Sequence, residues 1–223
     1  MNYLSLFFIC TVSLLQAQTY QFDYLFHYQY ESYEAGEKLA EFHKIIYKGK
    51  NNNSCYLVFS PSQNKTIIYD FKNDLRHHLD TKVIEENQEV RYDFSLIKTE
   101  KLNQKHYFNW KNYDKLVCDW LKIGQNESGQ DILQVIIYKN SKRKKIIKKV
   151  EFLVENSSEN HLDVFTSVSL HGLEFNPLIT SESPILIKSA KWEGLSGQFN
   201  FNCQLKAFQH VDFKILIPPV SSR

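Results

Sequence analysis

Two short stretches set a histidine and an aspartate two residues apart, the spacing at which strand side chains share a face. His78 and Asp80 do so in "RHHLD", His161 and Asp163 in "HLD". Imidazole and carboxylate together are metal-ligand chemistry, but a zinc site needs three or four convergent ligands. No third ligand is marked by sequence near either pair, so polar residues beside turns are the expected reading. "GLSGQ" (Gly194 to Gln198) has a loose likeness to the Gly-x-Ser-x-Gly nucleophile elbow, with Gly197 one place early. A hairpin turn accounts for it better. No phosphate-binding glycine loop, zinc-protease helix motif or facing carboxylate pair is present. The expectation is a protein that is not an enzyme and carries no cofactor and no metal.

Two further patterns carry chemistry of another kind. "YKNSKRKKIIKKVEF" gathers Lys139, Lys142, Arg143, Lys144, Lys145, Lys148 and Lys149 around one turn. A solvated hairpin tip explains such a cluster, with lysines guarding an edge. The functional alternative is contact with an anionic membrane surface through Lys142, Arg143, Lys144, Lys145 and Lys148. The second pattern lies in "TYQFDYLFHYQYESYEAG", where Tyr20, Phe22, Tyr24, Phe26, Tyr28 and Tyr30 fall on one parity. Strict alternation over eleven residues is strand periodicity, about 33 Å of it at roughly 3.3 Å per residue. Six rings on one face make either core or the wall of a cavity for an apolar ligand. Four of them are tyrosines, whose hydroxyls need polar partners, which suits a wall or rim.

The elements that would position these residues are mostly strands. Phe42 to Tyr47 and Cys55 to Ser60 flank the polar turn "KGKNNNS", and "TIIYDF" (Thr66 to Phe71) follows "PSQNK". His77 to Ile84, Arg91 to Lys98, Lys105 to Trp110, Leu116 to Ile123, Ile132 to Lys139 and Ile146 to Glu155 read the same way. Leu162 to Leu170 alternates as a strand, and Ile185 to Trp192, Phe199 to Ala207 and Val211 to Ile217 complete the set. "EAGEKLAEFHK" (Glu34 to Lys44) is the best helix candidate. About a dozen strands joined by short turns predict an all-β fold, a single strongly curved antiparallel meander sheet resembling a half-barrel or open barrel, with little helix.

Composition bounds the rest. The opening "MNYLSLFFICTVSLLQAQ" has a short apolar run ending at Ala17, which reads as a cleaved signal peptide over residues 1–17. Residues 18–223 then form one domain. Lys and Arg number 27 against 25 Asp and Glu, a balance that argues against nucleic acid as partner. No apolar run of spanning length follows residue 17, so no transmembrane segment is expected there. Cys55, Cys118 and Cys203 match no zinc or redox spacing and read as buried free thiols.

The signal ending "LLQAQ", the aromatic first strand "YQFDYLFHYQYE" and the hairpin series through "SCYLVFS" and "TIIYDF" resemble the GLPGLI-type secreted β-rich proteins of Gram-negative bacteria. "HGLEFNPLI" (His171 to Ile179) occupies the position of that family's naming motif without matching it. More distantly, the layout is similar to LolA-type lipoprotein carriers, open half-barrels with an apolar concave face. The resemblance implies an exported protein, periplasmic, extracellular or otherwise in the cell envelope. It implies an apolar small molecule or lipid as ligand, held by Tyr20, Phe22, Tyr24, Phe26, Tyr28 and Tyr30. The alternative is a structural or interaction module with a filled core, partnered by another envelope protein.

Overall fold

The computed structural model describes residues 17–50, 52–86, 89–102, 115–169, 183–193 and 199–218. In chain order these give β1 (Gln18–Glu34), β2 (Glu37–Gly49), β3 (Asn52–Ser60), β4 (Lys65–Asp70), β5 (Leu75–Glu86) and β6 (Glu89–Lys101). Then follow β7 (Val117–Gln125), β8 (Asp131–Tyr138), β9 (Ile146–Asn156), helix α1 (Leu162–Ser169), β10 (Ile185–Glu193) and β11 (Phe199–Ile217). All eleven strands of the described residues belong to one open antiparallel sheet, ordered β6-β5-β4-β3-β2-β1-β11-β10-β9-β8-β7. The chain enters it as two runs of hairpins, and the first and last strands pair at its centre. The fold is all-β with little helix, as the alternation and turn spacing predict. The expected strand at Lys105 to Trp110, the "GLSGQ" turn, the "HGLEFNPLI" segment and residues 1–16 lie outside the described residues.

Two local expectations are corrected. Glu34 to Lys44 is not helical: Ala35 (φ 50°) and Gly36 (φ 88°) form a two-residue turn, and β2 runs back along β1 from the Glu34–Glu37 pair. Two left-handed residues in succession twist a hairpin correctly and cannot continue a helix. The helix-like spacing of Leu39 and Phe42 is accidental, since Leu39 is exposed while Phe42 stacks on Tyr30 at 5.0 Å. Conversely, Leu162 to Leu170 is not a strand; its described part is helix α1. His161, Leu162, Val164 and Phe165 are all buried, a run that no single strand face can bury. The Asn160 side-chain oxygen accepts the Leu162 N–H at 3.0 Å, and Asp163 sits in the first turn, where the helix dipole favours it.

The long first strand serves two cores. Tyr24, Phe26, Tyr28 and Tyr30 pack in one with Ile46, Tyr56, Val135, Phe152, Leu162, Val164, Phe165 and Trp192. Tyr20 and Phe22 pack in the other with Tyr47, Leu57, Phe59, Ile68, Leu79, Ile215 and Ile217. The β1–β11 register shifts between Phe22 and Tyr24, where the stripe passes from one core to the other. A bulge bends a strand and increases its twist, which lets one parity reach two differently placed cores.

Because a left-handed backbone costs an L-residue with a Cβ about 1–2 kcal/mol, Gly36→Val is expected to destabilise the protein by that amount. No atom lies within 4 Å of a Cβ built there, so the effect is conformational alone. Urea unfolding should show a lower midpoint with an unchanged slope.

Candidate functional site

All six stripe residues are buried, none more than 4% exposed. The tyrosine hydroxyls that need partners find them inside the fold. Tyr28 donates to the Ile187 carbonyl at 3.0 Å and Tyr24 to Glu159 Oε1 at 2.7 Å. The Tyr20 hydroxyl donates to Asp70 Oδ2 at 2.8 Å and lies 2.8 Å from His77 Nε2. With its one proton given to Asp70, the Tyr20 oxygen accepts from His77 Nε2–H. His77 Nδ1 then accepts from the Thr99 hydroxyl at 2.8 Å. Gln18 and Asn73 also donate to Asp70 Oδ2, both at 2.7 Å. Burial, with Asp70 beside it, drives the Tyr20 phenol well above its ordinary range.

Helix α1 lies over the other part of the stripe. Phe165 meets Tyr28, Phe152 and Trp192 edge-on at 6.1, 5.3 and 6.0 Å. The His161 ring, at the helix start, packs among Tyr24, Phe26 and Phe208 at 5.1 to 5.2 Å. A polar latch holds this helix. Lys48, 2% exposed on β2, donates to Asp163 Oδ1 at 2.9 Å and to the Asn160 carbonyl at 3.2 Å. Tyr56 on β3 donates to Asp163 Oδ2 at 2.6 Å. Lys50 reaches Glu159, the acceptor of Tyr24, at 3.4 Å. Among the described residues His161 Nδ1 is a buried polar atom with no hydrogen-bond partner. Burial, with Lys48 nearby, lowers the His161 pKa to about 4, so the ring is neutral in the fold.

The structure therefore brings Tyr24, Phe26, Tyr28 and Tyr30 together under or beside α1, and sets Tyr20 and Phe22 apart in the second core. The histidine–aspartate pairs do not converge. His78 turns to Glu100 at 2.8 Å, and Asp163 is committed to Lys48 and Tyr56. Among the described residues no three metal-ligating side chains cluster. Lys48 and Tyr56 escape a sequence reading aimed at motifs. Their signal is faint: Lys48 interrupts "IIYKG", where apolar residues on both parities mark a strand buried on both faces.

The basic residues are placed unequally. Lys142, Lys144 and Lys145 are exposed between β8 and β9. Arg143 forks onto Asp119, with Nη2–Oδ1 2.9 Å and Nε–Oδ2 3.1 Å. Lys148 sets its ammonium 5.6 Å from the centre of the Trp192 ring. Beside them a groove of about 710 Å³ is lined by β9, the end of β10 and the start of β11. A smaller hollow of about 250 Å³ adjoins it, sharing Lys191 and Asn202. No stripe residue lines either. Cys55, Cys118 and Cys203 are free, and only Cys118 is partly exposed. Among the described residues no helix is long and apolar enough to cross a membrane.

No family profile matches the sequence, and no curated protein matches it. Solved structures of related layout include a domain assigned to outer membrane lipoprotein sorting from Vibrio parahaemolyticus. It is 7% identical with TM-score 0.33, over 84% of this chain and 85% of that one. A LolA superfamily protein from Nitrosomonas europaea is 5% identical with TM-score 0.33, over 86% and 87%. A DUF1329 family protein from Desulfovibrio piger is 9% identical with TM-score 0.30, over 84% and 85%. None of the three is described as a GLPGLI-type protein. The functional reading rests on the site itself.

Removing one member of a buried ion pair strands the other. Asp163→Leu, which leaves the Lys48 ammonium buried, should cost about 3 kcal/mol or more, while Lys48→Met with Asp163→Leu recovers most of it. Chemical denaturation of the two variants checks this. The buried histidines set a second expectation. His161, His77 and His27 all have pKa values below the ordinary 6.5, chiefly through burial. Between pH 6.5 and about 4 the unfolded chain binds protons that the fold refuses at His161. Stability is therefore full above pH 6.5 and falls as pH drops through that window. Urea midpoints at pH 7 and pH 5 should differ in that sense, and His161→Phe should flatten the dependence.

Proposed function

We propose that this chain is an exported, non-enzymatic protein of the cell envelope that holds an apolar or lipid-like ligand against Tyr24, Phe26, Tyr28 and Tyr30. Helix α1 covers that face in the ligand-free form and yields it to the ligand. Tyr20 and Phe22 anchor the strand from the second core. Residues 1–17 act as the leader, and β1 begins directly after them at Gln18.

One observation carries the reading: an eight-residue helix, pinned by the pair of buried Lys48 and half-buried Asp163, fills the aromatic face. A buried ion pair is a poor way to close a permanent core, because apolar residues of the same volume do as well or better. As a latch it is well suited, since it is strong when aligned and is lost as a unit when the helix moves. The His161 nitrogen, unpartnered among the described residues, adds a cost to the closed form that opening would relieve.

A second reading is favoured by the surface. Ile97 on β6 and Val83 on β5 are 65% and 53% exposed at one edge of the described sheet, and Leu121 and Ile123 are exposed on β7 at the other. Exposed apolar side chains along sheet edges suit a partner protein that adds to the sheet, with the aromatic face serving only as core.

Native mass spectrometry with lipid extraction separates the two, applied to the full chain expressed in a Gram-negative host and purified from its envelope. The expected result is a polypeptide beginning at Gln18 with a stoichiometric lipid, and uptake of cis-parinaric acid after delipidation. The apolar latch variant, Lys48→Met with Asp163→Leu, should hold the helix shut and bind that probe at least about fivefold more weakly. A lipid-free protein that takes up no probe overturns the ligand reading and leaves the interaction module.

A further inference from the structure

The groove beside the basic hairpin has the composition of a membrane-docking site. We infer that it seats the protein on an anionic lipid surface, with a lipid headgroup at its lysines and Ile146 entering the interface. This inference stands apart from the ligand proposed for the aromatic face.

Three features of the groove combine. Its open face is the one turned away from the core: Lys149, Glu151, Lys191 and Glu193 point out from it, alternating with Val150 and Trp192, whose side chains enter the core. Its exposed cations are Lys149 and Lys191. Lys148 lies over the Trp192 ring on the opposite face, and neither Lys149 nor Lys191 forms an ion pair among the described residues. Its acidic lining residues, Glu151 and Glu193, balance these two lysines, so the surplus of positive charge comes from the adjoining hairpin. The rim then continues into the hairpin, where Lys142, Lys144 and Lys145 are exposed and no acidic residue occurs between Lys139 and Lys149.

Ile146 settles the class of partner. It lines the groove, it is 45% exposed, and it follows Lys145 directly. A soluble anion uses the lysines and gains nothing from an exposed isoleucine. A lipid surface uses both, the charges at the headgroups and the apolar side chain below them. The chain as a whole is nearly neutral, with formal net charge +2, so attraction to an anionic surface must come from this local asymmetry. Arg143 adds little, because Asp119 already neutralises it.

The test is flotation of the full-length protein, processed in its host, with phosphatidylcholine vesicles and with vesicles containing added phosphatidylglycerol. Binding is expected only with phosphatidylglycerol, weakening as salt rises. Lys149→Glu with Lys191→Glu should weaken it at least tenfold, and Ile146→Ser severalfold. The control Lys214→Glu, exposed on β11, should change it by less than twofold. Inorganic phosphate at millimolar concentration should not compete. Equal binding to both vesicle types, no binding to either, an equal loss with Lys214→Glu, or competition by phosphate overturns the inference. The salt profile and the Ile146 variant are read on protein whose circular dichroism matches wild type.

Discussion

Everything in this molecule is arranged around the demand that β1 makes. It is a seventeen-residue strand that pairs on both edges, with β2 along one and β11 along the other. Its aromatic parity must be buried along its whole described length. A flat strand would present that parity to a single core. The register shift between Phe22 and Tyr24 divides it, and the two parts are closed by different means. The central position of β1 follows from this: a strand whose ladders and ring face must all be satisfied cannot lie at an edge.

The two closures differ in chemistry. Around Tyr20, a hydrogen-bonded chain through Asp70, His77 and Thr99 gives every proton one place to go, so this core has a fixed tautomer and little freedom. Around Tyr24 to Tyr30, closure comes from a short helix and a salt-bridged latch. The helix is held through Asp163 and Glu159 by side chains on β1, β2 and β3, and through Phe165 by rings on β1, β9 and β10. One core is locked; the other is shut by an element that could be elsewhere. Trp192 packs on Phe165 from the core face of β10, while Lys191 beside it points into the groove, so the covered face and the groove are the two sides of the same strands.

Much of the fold is legible in the sequence, because period-2 alternation and polar turns report burial directly. The aromatic parity of β1 and the hairpin at Asn140 to Lys145 are read from pattern alone, whereas Phe199 to Ala207 and Val211 to Ile217, read as two strands, are one continuous strand, β11. Two segments mislead for physical reasons. Leu162 to Leu170 alternates by chance, and the deciding fact, that Leu162, Val164 and Phe165 are buried together, exists only once the sheet supplies a surface to cover. Glu34 to Lys44 has helix-like spacing, but the Ala35-Gly36 turn commits it to pairing with β1. The candidate site is harder to see. Its polar members, Lys48, Tyr56, Glu159, His161 and Asp163, come from three separated segments that meet only by tertiary packing, and no spacing announces them. The cationic groove is half legible: the lysines are a run in sequence, whereas Lys191 and Asn202 join them through strand pairing.

The central claim is that α1 is a separable cover on a fixed sheet. Hydrogen exchange read by mass spectrometry, with peptides covering α1 and β1, measures this directly on delipidated protein with and without cis-parinaric acid. The account predicts that α1 amides exchange faster once the fatty acid is bound, while β1 amides from Tyr24 to Tyr30 stay protected. If α1 and β1 exchange together, at the rate of global unfolding and regardless of the fatty acid, the helix is permanent core and the account is contradicted.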